Sequence, residues 1–166
     1  ATLDPPPSPP PLWRRMSEYP METPRRGLKL VLSDGSRLEG EVFLRSTSRY
    51  RSRPEEPGDL LNDDDPFFPL VRYGETVLVA KAQVRSAETT VDEDDALDTG
   101  ALGVTVEVTL RDGEVCDGSI FLESPSDRPR LLDFLNSYHE RFIPLVSPRN
   151  LLLVNTQFIA HVREIA

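Results

Sequence analysis

At 166 residues the chain could form one ordinary domain or two very small ones, and length alone does not choose between them. An apolar share of 38% and a charged share of 28% describe a globular chain, while 16 prolines and a negative mean hydropathy place part of it outside any core. The single Cys116 excludes an internal disulfide and fits a reducing, cytoplasmic setting, and no apolar run approaches the roughly 18 residues that a membrane-spanning helix needs.

Eight of the prolines fall in residues 1–26, "ATLDPPPSPPPLWRRMSEYPMETPRR", which has no apolar periodicity and favours polyproline II. The stretch reads as a flexible arm, with Trp13 either an anchor for a partner's aromatic groove or part of a plain spacer. It lacks the apolar core of a signal peptide, and the opening Ala1 in place of Met leaves the true start open.

Residues 27–87 carry strand periods. Leu28, Leu30 and Leu32 alternate with polar residues, and Asp34-Gly35 then marks a hairpin turn, because glycine takes positive φ freely and aspartate bonds the turn backbone. In the next strand Leu38, Gly40, Val42 and Leu44 share a face, and the glycine in mid-strand signals a bend or bulge. "EEPGDLLNDDDP" reads as a short or irregular helical turn, and Pro69 in "FFPLV" is expected at the start or edge of a third strand.

Residues 88–102 hold −6 of the net charge of −9, against +1, −1 and −3 for residues 1–26, 27–87 and 103–166, so they read as a solvated acidic linker. Beyond that linker the pattern returns. "LKLVLSDGSRLEGEVFL" overlays "VEVTLRDGEVCDGSIFL" at an offset of 78, pairing Asp34, Gly35 and Gly40 with Asp112, Gly113 and Gly118. "DLLN" overlays "DFLN" at 74, matching Asn62 with Asn136, while "FFPLV" overlays "FIPLV" at 75, matching Pro69 with Pro144. "VLVAKAQV" overlays "LLVNTQFI" at 75. Four blocks in one order define two copies of one module, residues 27–87 and 103–166. In the second copy Leu131, Leu132, Phe134 and Leu135 line one side of a short helix, and "LLLV" and "FIAHV", separated by "NTQ", are expected to form a closing hairpin.

"VTVEVTLRDGEVCDGSIFLES" resembles the first conserved segment of Sm-like proteins, and "LLLVNTQFIAHVREI" is similar to their second. The Arg-Gly or Lys-Gly of that second segment is replaced by Val154-Asn155 and Val79-Ala80, and the "DFLN…FIPLV" insert has no clear Sm counterpart. The full pattern more closely resembles an uncharacterised bacterial domain of unknown function in the same barrel class. The resemblance implies a mainly β fold: two tandem small Sm-like or SH3-type barrels of about five strands each, with a short helix or turn in the middle, joined as an internal pseudo-dimer.

No constellation for catalysis, cofactor or metal binding stands out. Ser137 and His139 lack an orienting carboxylate and an oxyanion site, and His161 reads as a solvent-facing strand residue. "DDD" at 63–65 and "DEDD" at 92–95 lack the glycine and terminal glutamate of a calcium loop. Cys116 aligns with Leu38, a packing position.

Sm-like barrels often bind RNA, and Arg45, Arg49, Arg51 and Arg53 surround Tyr50, so phosphate pairing with base stacking is the alternative function. The acids Glu55, Glu56 and Asp59 follow at once, and the net charge opposes a polyanion. Asn62 and Asn136 could stand for the base-contacting asparagine of Sm loops, with a helix or turn cap the preferred reading. The expected function is therefore non-catalytic: a scaffold that meets an unidentified protein partner through strand edges and loops, with an oligomer open and an enzyme a distant third.

Overall fold

The computed structural model describes residues 25–45, 55–90, 102–122 and 130–165. The first half of the chain supplies β1 (Arg25–Leu32), β2 (Arg37–Phe43), helix α1 (Pro57–Asn62), β3 (Phe67–Arg72), β4 (Glu75–Ala80) and β5 (Val84–Thr90). The second half supplies β6 (Leu102–Leu110), β7 (Val115–Leu122), helix α2 (Leu131–Ser137), β8 (Phe142–Val146), β9 (Asn150–Asn155) and β10 (Ile159–Glu164). The stretch read as a linker gives 88–90 to β5 and Leu102 to β6, while 91–101, like most of the arm, lies outside the described residues.

Local sequence accounts for these elements. The Asp-Gly turns form as expected: Gly35 and Gly113 take φ of 87° and 89°, and the Asp34 carboxylate accepts from the Ser36 backbone N–H at 2.9 Å and from its hydroxyl at 2.6 Å. Those two bonds hold the Asp34 carboxyl below its ordinary pKa. Asp112 accepts from the Glu114 N–H at 3.0 Å in the second copy. A third turn, Tyr73-Gly74, puts two consecutive positive φ values between β3 and β4, as a two-residue hairpin requires. Helix α1 opens on Pro57, with the Asp59 carboxylate accepting from the Glu56 N–H at 3.0 Å.

Gly40 and Gly118 mark the point where the second strand of each half meets the third. A Cβ on Gly40 would lie 2.6 Å from the Val71 carbonyl oxygen, and one on Gly118 would lie 2.9 Å from the Leu145 Cβ. The only bridges between these strands, Glu41↔Val71 and Ser119↔Val146, directly follow the two glycines. We expect Gly40→Ala to cost about 1–3 kcal/mol, because the intruding methyl meets backbone that cannot rotate aside. Chemical denaturation would show it, and an unchanged midpoint would mean that the strands can separate freely. Pro69 and Pro144 fall inside β3 and β8 rather than at their starts, in the part that the second strand does not reach.

The strands form one antiparallel sheet in the order β10-β6-β7-β8-β9-β5-β1-β2-β3-β4. Each half has the same internal order, with its fifth strand outside its first. Two expectations are corrected here. The sheet is open and is not closed into a barrel; the sequence left open whether the halves share a sheet, and they do, through β5 and β9. The fourth and fifth strands of each half also do not pair as a hairpin. A 3-10 turn (Lys81–Gln83 or Thr156–Phe158) joins them, carrying β5 to β1 and β10 to β6. In the second turn the Asn155 side chain accepts from the Gln157 N–H at 3.0 Å, a local bond that makes a corner instead of a two-residue reversal.

Two apolar clusters lie along the sheet. Equivalent residues fill them: Leu28 and Leu30 match Val106 and Val108, Val42 and Leu44 match Ile120 and Leu122, and Phe68 and Leu70 match Ile143 and Leu145. Two residues of the second half, Phe142 and Leu153, belong instead to the cluster of the first.

Candidate protein interface at the sheet edges

Polar chemistry on the described surface does not converge. His139 is exposed in the connection after α2 and His161 is exposed on β10, and the Ser137 hydroxyl donates to the Asp133 and Phe134 carbonyls of its own helix, at 2.8 and 3.2 Å. Burial, followed by the nearby Glu114 charge, pushes the Cys116 thiol above its ordinary pKa, the opposite of an activated nucleophile. Asp63, the first of the three consecutive aspartates, is held in an ion pair with Lys81. Among the described residues no three His, Cys, Asp or Glu side chains gather as metal ligands, and no helix is long and apolar enough to cross a membrane. A groove of about 620 Å³ over the first half mixes Lys29 and Arg72 with Glu39, Glu41 and Glu88, so it presents no single sign of charge.

Of the residues considered for nucleic acid, Arg45 is exposed, while Arg49, Tyr50, Arg51 and Arg53 lie outside the described residues. Arg45 and Glu55, the described residues on either side of 46–54, bond to each other: the Glu55 N–H donates to the Arg45 carbonyl at 3.0 Å, and the Arg45 N–H donates to the Glu55 carboxylate at 3.2 Å. An acid therefore sits beside the first of the four arginines.

The most developed geometry is the junction between the halves. Strands β5 and β9 pair from Ser86↔Val154 to Thr90↔Asn150. Phe142 and Leu153 are 0% and 1% exposed there, inserted among the apolar residues of the first half. Asn62, at the end of α1, does not cap its helix with its side chain. Its amide clamps the Phe142 backbone instead, donating to the carbonyl at 3.2 Å and accepting from the N–H at 2.8 Å. Tyr138 donates to the same carbonyl, and burial, with the Glu140 charge second, raises its phenol pKa well above the ordinary value. The buried Asn155 amide donates to the Val84 carbonyl at 2.9 Å, and Arg85 forms ion pairs with Asp112 and Glu114 of the opposite half.

The two ends of the sheet present the same surfaces without a partner strand among the described residues. On the β4 side Leu78, the equivalent of Leu153, is 69% exposed, and Phe67, the equivalent of Phe142, is 56% exposed. On the β10 side Leu132 is 65% exposed, and the Asn136 amide, the equivalent of Asn62, is exposed and makes no hydrogen bond among the described residues. Pro57, Leu61, Val84 and Ala87 are buried in the first half, whereas their equivalents Leu131, Leu135, Ile159 and Val162 are only partly buried.

Sequence reading singled out Asn62 and Asn136 but not Phe67 or Leu78, and it set Leu132 on one helix side with Leu131, Phe134 and Leu135; those three pack against the core, whereas Leu132 points away from it. The repeat held a signal in "FFPLV" and "FIPLV", but identical letters do not say which copy is covered. No family model, curated protein or solved structure matches the chain.

Proposed function

We propose that this chain is a non-catalytic protein-binding module, built as two copies of one five-stranded unit, that engages partners through the open edges of its sheet. The supporting observation is the pair of large apolar side chains, Phe67 and Leu78, standing exposed beside the unpaired edge of β4. An edge strand offers a row of backbone donors and acceptors to an added strand, and neighbouring apolar side chains give that addition affinity. No charged or proline residue sits in the centre of β4, from Thr76 to Val79, to discourage it.

Copurification from the native cell, with the full chain and its Leu78→Lys variant as baits, tests this reading. Protein retained by the first and lost by the second, with retention unaffected by joint substitution of Arg49, Arg51 and Arg53, is the expected result. A labelled RNA that shifts at low salt, and ceases to shift when those arginines are replaced, would sink the reading in favour of nucleic-acid binding.

A further inference from the structure

We propose that the partner at these edges is a second copy of the chain, docked head to tail so that β4 of one copy pairs with β10 of the next. The proposal rests on the protein-binding reading above and names its partner. Its warrant is that the molecule already contains this interface once, between its own halves, and that among the described residues no strand covers either face of it at the two ends.

The repeat fixes the register. Moving the β5–β9 ladder by the 75-residue offset turns Ser86↔Val154 into His161↔Val79, and Ala87↔Leu153 into Val162↔Leu78. The last pair, Thr90↔Asn150, becomes Ile165↔Glu75, which brings the exposed Ile165 into the interface. Leu78 then occupies the place of Leu153, and Phe67 the place of Phe142. Asn136 stands where Asn62 stands, with its free amide facing the Phe67 backbone. Leu132 takes the position of Gly58, where an added Cβ would lie 3.7 Å from Leu153, so the two exposed leucines 132 and 78 come into contact. Every exposed apolar residue in this account is the repeat partner of a junction residue or lies beside one.

Two internal contacts do not carry over. Arg85, which pairs with Asp112 and Glu114, corresponds to Ala160, and Asn155, which holds the Val84 carbonyl, corresponds to Ala80. The joint between copies is therefore weaker than the joint within one, and it opens on dilution. Because its two faces differ, it is heterologous: each copy keeps one free face of each kind, and growth continues until a ring closes or a filament forms.

Sedimentation of the full chain over a range of concentrations tests this. The expected result is association that increases with concentration, in whole multiples of the chain mass. Leu78→Lys and Leu132→Lys should each give monomers at every concentration, with melting unchanged from the parent in dilute solution, since both side chains are exposed in the single chain. An equimolar mixture of the two should recover a dimer and nothing larger, because only one competent face of each kind remains. Asn136→Ala should weaken association about tenfold without affecting the fold. Self-association that persists in either lysine variant alone would overturn the head-to-tail arrangement. A wild-type chain that stays monomeric at every concentration would overturn the proposal while leaving the protein-binding reading intact, provided that the Leu78-dependent capture described above is still seen.

Discussion

Replacing Asp63 by Ala is expected to remove about 3–5 kcal/mol of folding stability, roughly a fifth or more of what a domain commonly has. Asp63 and Lys81 form an ion pair in which the side chains are 7% and 1% exposed. Without the carboxylate, the Lys81 ammonium keeps only the Asp63 backbone carbonyl at 3.4 Å, too long to satisfy a buried charge. The pair need not stabilise the fold for its rupture to be severe, because removing one partner strands the other in a medium that solvates it poorly. The second half makes the point. At the same corner it carries Thr156 in place of Lys81, whose N–H and hydroxyl both donate to the Arg141 carbonyl, at 2.8 and 3.1 Å. Lys81→Met in the Asp63→Ala background is therefore expected to recover most of the loss, since the apolar stem fills the space and no charge remains to bury. Urea denaturation of the two variants decides the matter. A loss below about 1 kcal/mol in the single variant would make this an ordinary surface pair.

The strands and both Asp-Gly turns were legible because they depend on local alternation and on residues that adopt positive φ. The glycines in mid-strand read as a bend or bulge, but the register with the first strand runs unbroken through both, and what they permit is close approach, of the Val71 carbonyl oxygen to Gly40 and of the Leu145 Cβ to Gly118. The supposed hairpin between "LLLV" and "FIAHV" was misread because a 3-10 corner and a two-residue reversal both separate apolar runs with a few polar residues, and only the partner strand distinguishes them. Lys81 sits in "VLVAKAQV" like a surface lysine, and its burial depends on Asp63, 18 positions earlier, folding back onto it. The joining of the halves was least legible. It depends on which copy of a repeated segment is covered, and repeated letters carry no such label.

That same repetition supplies a control for the junction. Phe142→Ala is expected to cost about 3–5 kcal/mol, as for a fully buried aromatic, whereas Phe67→Ala in dilute solution should stay within about 0.5 kcal/mol of the parent. Both phenylalanines open a third strand, both stand two residues before a proline, and both strands run beside their own fourth strand. Strand propensity and turn chemistry are thus nearly matched, and the difference isolates what the first half contributes by enclosing Phe142 with its own apolar residues and the Asn62 clamp. Leu153→Ala against Leu78→Ala repeats the comparison one strand over, with about 2–5 kcal/mol expected for the buried member. Equal costs within either pair would mean that the β5–β9 joint contributes nothing and that the halves fold independently. If copies associate through the matching edges, the small cost of Phe67→Ala must grow as the concentration rises, because assembly then buries Phe67 as the junction buries Phe142. The cost of Phe142→Ala, already present within one chain, should stay nearly constant over the same range.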